Sequence, residues 1–272
     1  MRMSEAESYY NEKASVYDDV FSLLYFKIYD AVTWKYLEPY VPTRTEALVL
    51  DAGGGTGRWT VRMAKKGCKV VLVDDSDGML KVARDKVKKE GLQDRVIIRK
   101  GDIKKLDYAD QTFDLILCEH TLFVFEEPAA AIKEFARVLK TGAPLVISAQ
   151  NLYVQLLMHL PYREIAQPEK LNEVLALLQR ARYDRMTKNG RVKIYTWTPD
   201  EFRSLLVGNG FKIEKIVGKG MTTPLRMSEE PIMKKEYPDD LLNRMLQLEF
   251  ALCERPDALA LAAHLQAIAR KT

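Results

Sequence analysis

The 272-residue sequence predicts an α/β fold: a doubly wound, mostly parallel sheet with an added helical cap. Three observations predict it. From residue 47 onward, short β-type runs alternate with helical patterns, the rhythm of a parallel sheet covered on both faces. A glycine-rich turn, GGGTG at 53–57, follows the first run and opens a helix. Acidic residues stand at the ends of successive runs, at Asp74, Asp102 and Glu119.

ALVLD at 47–51 is the first strand, and the helix GRWTVRMAKK that follows it is stopped by Gly67. KVVLVD at 69–74 is the second strand. The helix after it carries Leu80, Ala83 and Val87 on one face, with Ser76 placed to cap it and Gly91 to end it. RVIIRKGD at 95–102 and FDLILCE at 113–119 are the third and fourth strands. Pro128 then opens a helix bearing Ile132, Phe135, Ala136 and Leu139, and PLVISAQ at 144–150 is the fifth strand. In TPDEFRSLL, Thr198, Pro199 and Glu201 form a capping box, and the strand FKIEKIVG follows. HLQAIARK at 264–271 is expected as a last strand at the edge of the sheet, although a continuing helix fits its pattern nearly as well. That gives seven strands. Segments 1–40, 151–195, with the amphipathic set Leu171, Val174, Leu175 and Leu178, and 219–260 fall outside the alternation. They are expected to be helical and to cap the carboxyl edge of the sheet. The chain is thus expected to be a single domain, 1–272, with its core at about 45–150, 197–217 and 263–271.

Hydrophobic residues at 47% and charged residues at 29% describe an ordinary globular chain. No apolar run approaches the ~20 residues of a membrane span, and the start MRMSEAESYYNEK lacks the apolar centre of a signal peptide, so a cytoplasmic location is expected. Cys68, Cys118 and Cys253 are far apart and lack CxxC spacing, which indicates reduced thiols rather than disulfides or zinc. The net charge of +4 is spread along the chain and does not argue for a nucleic-acid partner. Lys81, Arg84, Lys86, Lys88 and Lys89 alternate with Asp85 and Glu90, the pattern of a solvated outer helix face.

In an open α/β sheet the ligand lies beyond the carboxyl ends of the strands, near the point where strand order reverses. Gly53, Gly55 and Gly57 permit positive φ there and a close approach of ligand to backbone. Arg58 occupies the position where a dinucleotide fingerprint needs glycine or alanine, and the Gly-Lys-Ser/Thr of a P-loop is missing. Asp74 ends the second strand, where a carboxylate can accept from both hydroxyls of a ribose. Asp102 can meet an exocyclic amine, and Ile103 can cover a flat ring. The expected ligand is a nucleoside with a polar, non-phosphate tail.

These residues carry a resemblance. DAGGGTG resembles the DxGxGxG motif of class I S-adenosylmethionine (SAM)-dependent methyltransferases, VLVDDSDGML their second-strand segment VDxSxxML, and GDI, FDLILCEHTLFVF and EFARVLKTGAPLVIS their following motifs. NEKASVYD at 11–18 is similar to the segment before the core in small-molecule and quinone methyltransferases of the type 11-like group, where a tyrosine and an aspartate help close the cofactor site. The resemblance implies a Rossmann-like fold with an antiparallel seventh strand, a role that HLQAIARK fits. It further implies SAM as cofactor and S-adenosylhomocysteine as product. Asp51 and Gly53, Gly55 and Gly57 would hold the aminocarboxypropyl end, Asp74 the ribose, and Asp102 with Ile103 the adenine. Tyr17, Asp75, Met79 and Glu119 complete the implied cofactor set. KTGAP replaces the usual KPGG before the fifth strand, and Asp75 is an additional acid.

The implied reaction is methyl transfer by in-line displacement to a small-molecule acceptor, with no metal and no nucleic-acid partner. The alternatives are an RNA or protein methyltransferase, or a non-catalytic SAM-binding protein. His120, just after the fourth strand, is the candidate catalytic base for a protonated acceptor, or else it orients its loop; Glu119 has the same two readings. Phe123, Phe125, Tyr153, Tyr195 and Trp197 form either an apolar acceptor pocket or plain core. His159 is expected on a cap helix, and His264 starts the last strand.

Overall fold

The computed structural model describes residues 5–158, 171–172, 175–176, 179, 182–187, 190–222, 236–238 and 240–272. Its centre is laid down by the most apolar runs. β1 (Leu48–Ala52), β2 (Lys69–Asp74), β4 (Leu115–Cys118) and β5 (Pro144–Gln150) are buried along nearly their whole length, as parallel strands covered on both faces must be. With β3 (Val96–Lys100), β8 (Phe211–Lys219) and β9 (His264–Lys271) they form a seven-stranded sheet in the order β3-β2-β1-β4-β5-β9-β8. β1 pairs in parallel with both β2 and β4, so strand order reverses beside β1 and a crevice opens at the carboxyl ends.

The last strand departs from expectation in position but not in direction. β9 runs antiparallel to both β5 and β8 and lies between them, not at the edge. Its residues from His264 to Ala269 are all buried, the polar His264 and Gln266 among them, as in an interior strand covered on both faces. β8 takes the edge instead, with Lys212, Glu214 and Lys215 exposed, the charges that discourage pairing with another chain.

Helices cover the faces. α3 (Arg58–Ala64) follows the glycine turn, and α4 (Asp77–Lys89) is capped by Ser76, whose hydroxyl accepts from the Met79 amide at 3.2 Å. α5 (Pro128–Val138) buries Ala131, Ile132, Phe135 and Val138. From residue 5 to 40 the first segment is largely helical, with α1 (Glu5–Lys13), a 3-10 turn at Tyr17–Ser22, and the largely buried α2 (Leu24–Leu37).

Segment 151–195 is not helical throughout. After α6 (Leu152–Met158), β6 (Arg182–Thr187) and β7 (Gly190–Tyr195) pair as an antiparallel hairpin, with Thr187 opposite Gly190. In β7 the buried Val192 and Ile194 alternate with Arg191 and the exposed Lys193, the period of two of a strand. Leu171 and Leu175 are exposed, while Val174, Leu178 and His159 lie outside the described residues. α7 (Pro199–Val207) shows the predicted capping box, and α8 (Leu241–Leu252) packs against α2. Among the described residues no helix is long and apolar enough to cross a membrane.

Phe135 and Thr198 separate packing from capping. Phe135 is fully buried in the larger core cluster. Phe135→Ala is expected to cost about 3–5 kcal/mol in urea unfolding, against ~1 kcal/mol for Thr198→Ala at an exposed cap.

Candidate functional site

The carboxyl ends of β3, β2, β1 and β4 open into one cavity of about 960 Å³. The glycine turn forms its floor. Gly53, Gly55 and Gly57 all have positive φ (70°, 53° and 74°), but their surroundings differ. A Cβ on Gly53 would stand 2.2 Å from Thr121 Cγ2, and one on Gly57 would stand 3.2 Å from Ala83 Cβ, so these two glycines allow close packing within the protein. A Cβ on Gly55 would meet nothing within 4 Å; Gly55 alone of the three faces open space. The turn is fastened to β2. Gly53 N donates to Val73 O at 2.7 Å, and Gly55 N donates to Asp74 Oδ2 at 2.9 Å. Ser76 N donates to Asp74 Oδ1 at 2.9 Å, and burial holds the Asp74 carboxyl above its ordinary range despite these bonds.

Asp51 is buried, with the Thr60 hydroxyl donating to its Oδ2 at 2.5 Å. Burial pushes its pKa up to about 7; the Thr60 bond opposes the shift and the nearby Asp74 adds to it. Met79 and Ile103 are buried in the cavity wall, and Asp75 and Asp102 stand exposed at its β2 and β3 side. Asp102 Oδ1 accepts from the Lys104 amide at 2.9 Å.

The segment before the core closes one side. Thr56 Oγ1 donates to Asp18 Oδ1 at 2.7 Å, and Lys86 Nζ donates to Asp18 Oδ2 at 2.7 Å. Asn11 Oδ1 accepts from Gly78 N at 2.7 Å and from Ser76 Oγ at 2.9 Å. NEKASVYD therefore docks on both the glycine turn and the start of α4, with Tyr17 in the cavity wall beside Tyr10 and Phe21. Lys86, grouped by its sequence pattern with the solvated helix face, is part of that docking. Arg58 also lines the cavity; it pairs with Asp30 and lies 3.5 Å over the Phe21 ring.

At the end of β4, Glu119 and His120 both reach the cavity wall. His120 has φ 56°, a left-handed conformation uncommon for a non-glycine residue, and its amide donates to Ser148 Oγ at 2.8 Å. Its ring lies 5.2 Å from His264, 5.9 Å from Tyr29 and 4.8 Å from Phe123. Glu119 is paired with Lys219 at 2.6 Å and accepts from Tyr29, two residues that sequence reasoning missed. The five candidate pocket aromatics divide. Phe125 and Tyr195 line the cavity, Phe123 and Trp197 belong to the core, and Tyr153 is 41% exposed.

Residues 50–147 match the family described as "Methyltransferase domain". The chain is 41% identical over 105 residues to the demethylmenaquinone methyltransferase of Lactiplantibacillus plantarum, covering 38% of this chain and 44% of that one. It is 35% identical over 138 residues to the ubiquinone/menaquinone biosynthesis C-methyltransferase UbiE of Idiomarina loihiensis, covering 49% and 54%. The alignments therefore span about half the length of these relatives. A SAM-dependent methyltransferase of Methanosarcina mazei shares the fold with a TM-score of 0.60 at 18% identity, over 87% of this chain and 96% of that one.

Two measurements probe this geometry. Asp51 titrates near the ordinary 3.8 when unfolded and at about 7 when folded, so between those values the native state holds the additional proton and stability falls as pH rises. Asp51→Asn removes that slope, and its advantage over the ligand-free wild type should grow from pH ~4 to ~7 in urea unfolding. Gly55→Ala should cost only ~1 kcal/mol of stability while filling the space beside the turn, whereas Gly53→Ala should destabilise more through Thr121.

Proposed function

We propose that this chain, whose residues 50–147 form a methyltransferase domain on the class I SAM-dependent methyltransferase fold, binds SAM and transfers its methyl group to an aromatic small-molecule acceptor. The observation that carries the reading is the row of carboxylates at the ends of four neighbouring strands, around a turn whose middle glycine faces open space. That arrangement fits an adenosine bearing a cationic tail. Asp102 and Ile103 suit the adenine, and Asp74 and Asp75 suit the ribose hydroxyls. Gly53 and Gly55 with Asp51 suit the amino-acid end, with Met79 and Tyr17 closing the sides, while Gly57 supports the turn from beneath by packing on Ala83.

When bound, SAM supplies an electrophilic methyl group on a sulfonium. The chain's own work is alignment and exclusion of water. Tyr10, Tyr17 and Phe21 on one side and Phe125 and Tyr195 on the other provide apolar walls, and the docked 11–18 segment covers the site. These walls support a flat, apolar acceptor, and so do the printed names of the quinone-methylating relatives. His120, at the cavity wall beside His264, is placed to take the proton of a phenolic acceptor. The printed names of these relatives favour a small molecule over the alternative of an RNA or protein acceptor.

Calorimetry should show binding of SAM and S-adenosylhomocysteine and none of NAD; tighter NAD binding would overturn the reading. Asp74→Ala should weaken S-adenosylhomocysteine by about 1.5–3 kcal/mol. Labelled methyl transfer from SAM to a panel of phenols and reduced quinones tests the acceptor class. His120→Ala should slow transfer without loss of SAM affinity, by ~10²-fold or more if the histidine takes the proton.

A further inference from the structure

Three rings meet at the cavity wall. His120, half-buried, reaches the wall from the end of β4, Tyr29 comes from α2, and His264 starts β9 and is 6% exposed. The ring centroids of His264 and His120 lie 5.2 Å apart at 83°, those of His264 and Tyr29 5.0 Å apart at 83°, and those of Tyr29 and His120 5.9 Å apart. Both contacts of His264 are edge-to-face, an arrangement in which aromatic rings attract one another.

The His120 backbone is held by the same group. Its left-handed φ goes with the bond from its amide to Ser148 Oγ, and Ser148 is also hydrogen-bonded to the Tyr29 hydroxyl. That hydroxyl donates to Glu119 Oε1 and accepts from Lys219 Nζ at 2.9 Å. Tyr29 is therefore pinned at its tip while its ring touches both histidines. An uncommon backbone conformation persists where its surroundings over-determine it, and such places cluster at functional sites. A histidine that only turned its loop would need the Ser148 bond but not the ring triangle.

Charge distinguishes the two imidazoles. In the register of β9, His264 stands directly opposite Gln150 of β5 and Lys219 of β8, so the three side chains share one face of the sheet. The ammonium of Lys219, which is fully buried, lies 4.0 Å from the Tyr29 ring centroid and 2.6 Å from Glu119. Ser148 of β5 and Phe123 of the 3-10 turn bring no charge. On α2, Asp30 beside Tyr29 is paired with Arg58, and on α8, Glu249 accepts from the amides of Met221 and Thr222. Glu119 thus balances one cation, that of Lys219. A proton on His264 would place a second cation in dry surroundings, and two imidazoles 5.2 Å apart there do not both become charged. His120 has the cavity in front of it to hydrate its cation.

We propose that His264 is a positioning residue for methyl transfer: packed edge-to-face with His120 and Tyr29, it fixes the His120 ring at the cavity wall and limits the pair to one proton, carried on His120. The inference deepens the reading in which His120 takes the proton that a phenolic oxygen releases on accepting the methyl group. That proton then passes from His120 to the water of the cavity.

The chain has three histidines, which makes the pair accessible to nuclear magnetic resonance. In protein labelled with carbon-13 at histidine Cε1, His120→Gln and His159→Gln identify two signals and leave the third to His264. Between pH ~5 and ~8 the wild-type His120 signal should titrate, and the His264 signal should stay at its neutral position. His264→Ala admits water beside His120 and should raise its midpoint by about half a unit or more, because a hydrated imidazolium is less costly. His264→Phe restores a ring and should return the midpoint to the wild-type value. A His264 signal that titrates near ~6.5 while His120 is protonated would overturn the inference. So would a His120 midpoint that His264→Ala leaves unmoved, the result for a merely structural strand residue. The wild-type titration needs no substitution at 264 and decides the matter if His264→Ala does not fold. Wild-type protein that titrates as expected but binds no S-adenosylhomocysteine in calorimetry would overturn the methyltransferase reading instead.

Discussion

The hydrogen bond from the Gly55 amide to the Asp74 carboxylate is the fastening on which the rest of the site depends. It ties the turn after β1 to the end of β2, at the one place where the sheet's order reverses. Thr56 is then presented to Asp18, and Ser76, held by the same carboxylate, is presented to Asn11. The docking of the 11–18 segment is thus a consequence of where Asp74 sits. The positive φ of Gly55 is what lets its amide point at that carboxylate while the space above stays open.

Holding carboxylates this close has an electrostatic consequence. Asp74 is satisfied by backbone amides and Asp51 by a hydroxyl, and among the described residues neither has a paired cation. The cations at the wall are engaged elsewhere: Arg58 with Asp30, Lys100 with Asp77 and Lys104 with Asp102. Both Asp51 and Asp74 are consequently held above the ordinary carboxylate range by burial. A ligand carrying positive charge relieves this tension, and one carrying a pyrophosphate adds to it. In the proposed reading, discrimination against dinucleotides would rest on charge as much as on the identity of residue 58.

Most of the sheet was legible because its signals are local. β2, β5 and β9 have the limits the sequence suggests, since each apolar run is bounded by a charge, a turn residue or a cap. The place of β9 was not legible, because being interior depends on the lack of a better partner for β8. The β6–β7 hairpin was obscured because β6, with Arg182, Asp184 and Arg185, has no period-two alternation to match that of β7. Among the site residues, Gly53, Gly55, Asp51, Asp74, Asp75, Met79, Asp102, Ile103 and Glu119 reach one cavity, because successive strand ends converge there, whereas Gly57 packs against Ala83. Phe123 and Phe125 were indistinguishable in sequence, and a short 3-10 turn at Leu122–Val124 sends one to the core and the other to the cavity. Lys219 gave no signal. A lysine between two glycines at a strand end suggests exposure, and its partner lies 100 residues away.

The placement of β9 has a consequence for how the molecule is made. A ribosome delivers β1 to β5 in time to pair among themselves, but β8 emerges with no strand to join, because its only sheet neighbour, β9, is still to be synthesised. Until β9 slides between β5 and β8, the exposed flank of β5 and the whole of β8 are unpaired backbone, the kind of edge that recruits other chains. Lys219 sits at the end of that waiting strand. Its ammonium can reach Glu119 only after the insertion, so the site is finished by the same late event that closes the sheet. A nascent chain should accordingly acquire the glycine turn early and the Lys219–Glu119 pair last, which makes assembly of the cavity directional along the message.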